Sequence, residues 1–290
     1  MKNILPGTLL LSSGGKINLF LEIHGKRKDG YHLLESLFLP IPEPRDYLTI
    51  NILGHGQGLA DFTTNSSDLN QDDNTLTKAY TIYAVKTGFQ PRISLYLEKG
   101  IPSGAGLGGG SADAALLLGW LQKHNPKPLG KAALKCLGLA IGADVPFFLD
   151  PRPSLVRGIG EIIEPVPMET ENLWFVLVCP KIFVSSTWAF KQWDQSLTEN
   201  APEDKCHSSY FRCPLKVANS LESVVFKAWP KLGLIKKQLL TCGAQAAGMS
   251  GSGSSLFGIF SDLDQADQAA KKMHGLEKNQ VFGPFLPGTG

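Results

Sequence analysis

Residues 100–115 read GIPSGAGLGGGSADAA, with six glycines in sixteen positions. A flexible linker and a phosphate cradle both use such freedom, and the flanks separate them. Upstream, residues 92–99 (RISLYLEK) set Ile93, Leu95 and Leu97 against Ser94, Tyr96 and Glu98, a period of two that predicts a half-buried strand. Downstream, Ser111 is the expected N-cap, and Ala112, Ala114, Ala115, Leu116, Leu117 and Leu118 predict a buried apolar helix. Linkers separate folded units and carry polar flanks, whereas this stretch turns a strand into a helix. Such a turn lets a ligand approach backbone without meeting a Cβ, and the first N–H groups of the helix point outward as an anion site. The common P-loop is excluded, because Gly110 is followed by Ser111 and not by Lys. GAGLGG fits the dinucleotide fingerprint only when forced, since no chain-opening strand precedes it. Phosphate binding and a purely structural glycine turn are the two readings the loop itself leaves.

A chain of 290 residues is long enough for a sizeable core and more natural as two modest domains than as one. Its 43% apolar and 19% charged residues are those of an ordinary globular protein. The net charge of +2, with no basic run interleaved by aromatics, gives no nucleic-acid footprint. Residues 1–16 (MKNILPGTLLLSSGGK) mimic a signal peptide, but Pro6 and Gly7 break the apolar patch below the ~7 residues a signal core needs. No segment approaches the ~18 apolar residues of a membrane span. The expectation is a complete cytoplasmic chain with no membrane partner. Cys136, Cys179, Cys206, Cys213 and Cys242 are odd in number and lack a CxxC pair, which suits a reducing compartment. Cys206, His207 and Cys213 match no common zinc spacing, and no metal-ligating residue is assigned.

Along the chain, GKINLFLEI and YLTINIL predict strands, and residues 72–88 predict a helix capped near Asp72 or Asp73. KAALKCLGLAIG predicts a helix closing at Gly142 that delivers ADVPFFLD as a turn and short strand. From Arg152 the texture changes: DPRPS breaks the chain, EIIEPV and LWFVLVCP read as strands, and residues 191–214 are polar and irregular. A helix, the loop GMSGSGSS, the strand LFGIF, the helix DLDQADQAAKKMHG and a strand near NQVFGPF complete it. The mixture, without strict alternation, is α+β, with domains expected over 1–155 and 156–290.

Three further stretches carry candidate chemistry. Lys16 and Asn18 share one face of the first strand by period two, and Tyr31 and His32 follow the charged turn GKRKDG. Asp144 lies just past a helix end in GADVPFF, and residues 248–255 (GMSGSGSS) form a second small-residue loop between a helix and a strand. Taken singly, each has a plain explanation: a solvated lysine, a surface histidine, a turn aspartate, a turn.

Taken together, and in this order, the early K-x-N strand, the P-x-x-x-G-L-G-G-G-S type loop, the GADVP turn and the late SGSG loop resemble the GHMP kinase superfamily. DGYH, at residues 29–32, resembles the branch whose acceptor is a cytidine diphosphate compound of the non-mevalonate isoprenoid route. The resemblance spans nearly the whole chain. It implies a two-domain fold, with an N-terminal ribosomal-protein-S5-like domain and a C-terminal ferredoxin-like domain. The implied activity is transfer of the γ-phosphate of ATP to a hydroxyl, with Mg²⁺ carried by the nucleotide. By the same resemblance Lys16 and Asp144 are catalytic, Asn18 binds the acceptor, and Tyr31, His32 and Phe190 hold the cytosine. A stacking aromatic with a hydrogen-bonding ring suits a base that has a π face and a polar edge. The resemblance further implies that Pro102, Ser103, Gly104, Ala105, Gly106, Leu107, Gly108, Gly109, Gly110 and Ser111 bind ATP, wrapping its phosphates, that Asn74 and Lys99 lie near the nucleotide, and that Gly251, Ser252 and Gly253 lie close to the phosphates and the acceptor. For Asn74, Lys99 and Phe190, a helix cap, a solvated lysine and a core phenylalanine remain the alternatives. One departure is Gly14–Gly15, where the family usually has Pro-Ala, which leaves the segment before Lys16 less restrained. A homoserine- or mevalonate-type kinase, a decarboxylase relative and a catalytically silent nucleotide-binding protein are the rival readings.

Overall fold

A computed structural model describes residues 6–67, 69, 74–168, 172–197, 217–276 and 279–287. In chain order these form β1 (Gly7–Lys26), β2 (His32–Gln57), β3 (Leu59–Thr64), α1 (Thr75–Thr87), β4 (Pro91–Glu98), α2 (Gly109–His124), α3 (Lys131–Ile141), α4 (Val145–Phe148), β5 (Ser154–Gly158) and β6 (Ile162–Pro165). Then follow β7 (Trp174–Cys179), α5 (Ser186–Ser196), β8 (Ala218–Asn219), α6 (Glu222–Ala228), α7 (Pro230–Thr241), β9 (Ala246–Met249), β10 (Leu256–Phe260), α8 (Leu263–His274) and β11 (Gln280–Phe285). The chain divides into two compact units that interleave in sequence. The first takes Met1–Gly15, Pro44–Ser103 and Gly108–Pro151, and the second Lys16–Glu43, Gly104–Leu107 and Arg152–Gly290.

In the first unit, β4 pairs antiparallel with β2, setting Leu48 opposite Leu97 and Ile50 opposite Leu95, while β3 joins β4 in parallel. The alternation expected for 92–99 is present: Ile93, Leu95 and Leu97 are buried, and Tyr96 faces outward. The inward row packs on Tyr83 of α1 and on Leu117, Leu118 and Trp120 of α2. Helix α2 buries Ala112, Ala114, Ala115, Leu117, Leu118, Trp120 and Leu121, and Asp113 is the exception among its buried residues.

In the second unit, a four-stranded sheet runs in the order β11-β7-β10-β9, with β10 antiparallel to both neighbours. Val176, Val178 and Leu256 meet Leu232, Ile235 and Leu239 of α7 and Ala266, Ala269 and Met273 of α8. Residues 34–38 of β2 pair antiparallel with β5, and Phe20 and Leu21 of β1 pair in parallel with β8.

Several local expectations change. Helix α2 begins earlier than Ser111: its N-cap is Gly108, in the left-handed region at φ 73°, because the turn there needs a residue without a Cβ. Ser111 therefore sits inside the first turn. Residues 145–148 are a helical turn, since Asp144 is already αR and Pro146 suits the first turn of a helix, where its missing N–H costs nothing. The loop at 250–255 joins two strands, because AAGM, too short and small to announce itself, pairs with β10. Residues 191–196 continue α5. Asp72, Asp73, Cys206, His207 and Cys213 lie outside the described residues.

Candidate active site

Within the second unit, two glycine-rich segments meet. Gly106 has φ 75°, and a Cβ on it would lie 2.2 Å from the Ser250 carbonyl oxygen, so no other residue fits. The Ser250 hydroxyl donates to the Gly106 carbonyl at 2.9 Å and accepts the Asn18 N–H at 3.2 Å. The Ser255 N–H donates to the Ala105 carbonyl at 3.1 Å, and the Lys16 N–H to the Leu107 carbonyl at 2.9 Å. Residues 104–107 are thereby held from two sides. Strand β1 runs unbroken through Gly14 and Gly15, and the bond to Leu107 fixes the Lys16 backbone.

Lys16 is buried at 4% exposure, which sets aside a solvated lysine. Its ammonium donates to Asn18 Oδ1 and lies 4.5 Å from the centre of the Phe38 ring. Asn18 is turned by a 2.8 Å bond from its Nδ2 to the Ser36 hydroxyl. Gly251, at φ 56°, would bring a Cβ within 3.2 Å of the Gly106 carbonyl oxygen and 3.3 Å of Asn18 Oδ1. Ser252 is buried, with its hydroxyl 2.7 Å from that of Ser186. Lys16, Asn18, Gly104–Leu107 and Gly251–Gly253 therefore form one cluster.

A second cluster in this unit surrounds His32. Its ring stacks on Phe190 with centroids 4.8 Å apart and meets Trp193 edge-on at 5.9 Å. His32 Nε2 lies 2.6 Å from Asp194 Oδ1, and the other oxygen of that carboxylate accepts from Lys26 at 2.5 Å. Burial pushes the Asp194 carboxyl up, but Lys26 and His32 outweigh it and hold it below its usual value. Phe190, Trp193 and Asp194 share a face because α5 spaces them at i, i+3 and i+4. Tyr31 closes the preceding turn, where Arg27 N–H donates to its carbonyl at 2.7 Å, and its side chain is exposed. Trp193, Asp194 and Lys26 were not singled out in the sequence; the i, i+3, i+4 spacing beside Phe190 was the available signal.

The first unit contains Asn74, Lys99, Pro102, Ser103, the start of α2 and Asp144. After Gly108, the N–H groups of Gly109 and Gly110 open α2, while those of Ser111 and Ala112 are taken by the Gly108 carbonyl. A Cβ at Gly110 would lie 3.4 Å from Thr75 Oγ1, and one at Gly142 would lie 3.5 Å from Ser111 Oγ. The first turn of α2 thus runs between the start of α1 and the turn that carries Asp144. Asn74 caps α1, its Oδ1 accepting from Leu76 N–H at 2.9 Å and Thr77 N–H at 3.0 Å. Pro102 is half-buried, and Ser103 is exposed.

Lys99 is enclosed by two carboxylates. Its ammonium donates to Asp46 Oδ2 and, at 3.0 Å, to Asp113 Oδ2. Burial alone would lower its pKa; Asp113 and Asp46 overcome that and raise it. One cation does not balance two buried carboxylates. Burial foremost, opposed by Lys99 and helped by Asp46, pushes Asp113 up to about 7. Among the described residues no group of three or more His, Cys, Asp or Glu could hold a metal ion, and no helix is long and apolar enough to cross a membrane.

Residues 74–150 match the GHMP kinases N terminal domain, and residues 203–277 match the GHMP kinases C terminal domain. The chain is 42% identical over 273 residues to the 4-diphosphocytidyl-2-C-methyl-D-erythritol kinase of Lawsonia intracellularis, covering 88% of this chain and 89% of that one. The enzyme of the same name from Nitratidesulfovibrio vulgaris is 41% identical, with 91% and 94% covered. A crystal structure of 4-(cytidine 5'-diphospho)-2C-methyl-D-erythritol kinase superposes with a TM-score of 0.78 at 28% identity, covering 97% of this chain and 100% of that one. Homoserine kinase from Cytophaga hutchinsonii, at 17% identity and TM-score 0.71, covering 97% and 95%, shares the fold.

Proposed function

The chain belongs to the 4-diphosphocytidyl-2-C-methyl-D-erythritol kinase family of the GHMP kinases, and from that premise we propose that it transfers the γ-phosphate of ATP to the 2-hydroxyl of that cytidine compound. The observation that carries the choice of acceptor is His32, stacked on Phe190 and bonded to Asp194. A flat aromatic surface beside a ring nitrogen of fixed orientation matches a pyrimidine, which has a π face and a polar edge. A homoserine or mevalonate acceptor would make no use of it.

The loop from Pro102 to Ser111 takes the phosphates, with the N–H groups of Gly109 and Gly110 as donors and the start of α2 as a positive pole. Gly251, Ser252 and Gly253 support it through Gly106. Mg²⁺ arrives with the nucleotide and supplies charge neutralisation on its phosphates. Phosphoryl transfer has a loose transition state, so positioning and charge neutralisation matter more than strong base catalysis. Lys16, already desolvated and turned by Asn18, offsets negative charge that develops in transfer. Asp144 orients the acceptor hydroxyl and finally takes its proton. Residues 1–155 and 156–290 are the N- and C-terminal kinase domains in this proposal. The scattered cysteines suit the cytoplasm.

The test is ADP release from MgATP with 4-diphosphocytidyl-2-C-methyl-D-erythritol, homoserine and mevalonate offered separately. Turnover with the cytidine compound alone is expected; turnover with another acceptor, or with none, overturns the proposal. Asp144→Asn is expected to lower kcat by roughly a hundredfold or more with KM for the acceptor little changed.

A further inference from the structure

We propose that Asp46, Lys99 and Asp113 are positioning residues for the nucleotide: they fasten the two flanks of the glycine loop, the end of β4 and the first turns of α2, at the separation that phosphate binding requires. This rests on the assignment of that loop to ATP. One oxygen of Asp46 accepts the N–H groups of both Gly100 and Ile101 at 2.8 Å, where the loop leaves β4. Its other oxygen accepts from Lys99, whose ammonium reaches Asp113 on α2. Ser13 Oγ donates to the second oxygen of Asp113 at 3.4 Å. The fastening passes beside the first residue of α2, since a Cβ on Gly109 would lie 3.1 Å from Lys99 Nζ.

Burial of these charges is what a packing role does not need. Asp46 is 0% and Asp113 1% exposed. Three charged groups desolvated together stabilise a fold less than apolar side chains of similar volume would. Directed bonds do what apolar packing does not: they fix Gly100, Ile101 and α2 relative to one another. Two of the three N–H groups of Lys99 are spent on carboxylates, and in this proposal it acts on the nucleotide through the loop.

Titration of the full chain with a fluorescent N-methylanthraniloyl ATP, and separately with the cytidine acceptor, decides it. Asp113→Ala is expected to weaken the ATP analogue about tenfold and acceptor binding less than twofold, and Asp113→Asn, which keeps an acceptor atom for Lys99, about threefold. A folded Asp113→Ala that binds the analogue as the parent does, or that loses both ligands equally, overturns the proposal. If Asp113→Ala does not fold, Asp113→Asn decides: selective loss of the ATP analogue supports the network, and parental affinity refutes it. A parent chain that binds the analogue but phosphorylates no acceptor sinks the proposed function while leaving this test intact. A parent that binds no analogue overturns both.

Discussion

The trio of ionisable groups in each unit is built from similar parts to opposite effect. Around His32, one carboxylate, Asp194, faces Lys26 and the imidazole, and its side chain keeps 28% of its exposure. Around Lys99, one cation faces two carboxylates that are almost wholly buried. Water remains available to the first trio, so the neighbouring donors prevail and Asp194 is held low. In the second, burial prevails over the single cation and Asp113 is pushed up to about 7. Solvent access and stoichiometry, more than the residue types, decide whether a carboxylate cluster is easily ionised.

The largest expected effect is on stability. Lys99→Met leaves two buried carboxylates without their cation and should cost about 3–5 kcal/mol in urea unfolding. A loss below about 1 kcal/mol would make the buried trio no different from a surface pair. Next comes Phe190→Leu, which keeps apolar volume but removes the stacking face. It should weaken the cytidine acceptor by about 1–3 kcal/mol, with the urea midpoint nearly unchanged. An unaltered acceptor KM would make the His32 cluster a packing feature.

The two carboxylates should also oppose each other in pH. Asp113 moves from an ordinary 3.8 to about 7 on folding, so the fold takes up a proton there. The stability it contributes is complete below pH ~4 and disappears as pH rises to ~7. Asp194 has the reverse sign: its contribution is present above pH ~4 and is lost as acid protonates it. Thermal unfolding from pH 4 to 8 should therefore decline less steeply in Asp113→Asn than in the parent, and parallel curves would contradict the raised value. Smallest of all is Lys26→Ala, at about 0.2–1 kcal/mol and fading in high salt, because its partner is open to water.

Much of this arrangement is written in local sequence. Period two in 92–99, the apolar run after Ser111 and the glycine cluster between them specify strand, loop and helix, because each is a property of a few adjacent residues. Lys16 with Asn18, and the turn before His32, are legible for the same reason. The start of α2 at Gly108, the helical turn at 145–148 and the strand at 246–249 were missed. Cap identity depends on φ at a glycine, and a four-residue AAGM strand exists only because β10 pairs with it. Asp113 was not singled out, although a carboxylate among the buried apolar positions of α2 signals that a partner must exist. Nothing local says that the partner is Lys99, or that Asp46, more than fifty residues before it, completes the set.

The sequence by itself determined the α+β class, the strand-to-helix glycine loop and the order of four motifs that resembles one kinase superfamily, since periodicity, capping and motif spacing are local in the chain. Only the tertiary structure decided that Lys16 is buried, that α5 brings Phe190 and Asp194 to His32, and that Lys99 is enclosed by two acids. Burial and electrostatic environment are sums over neighbours distant in sequence, and a chain acquires them only when it folds.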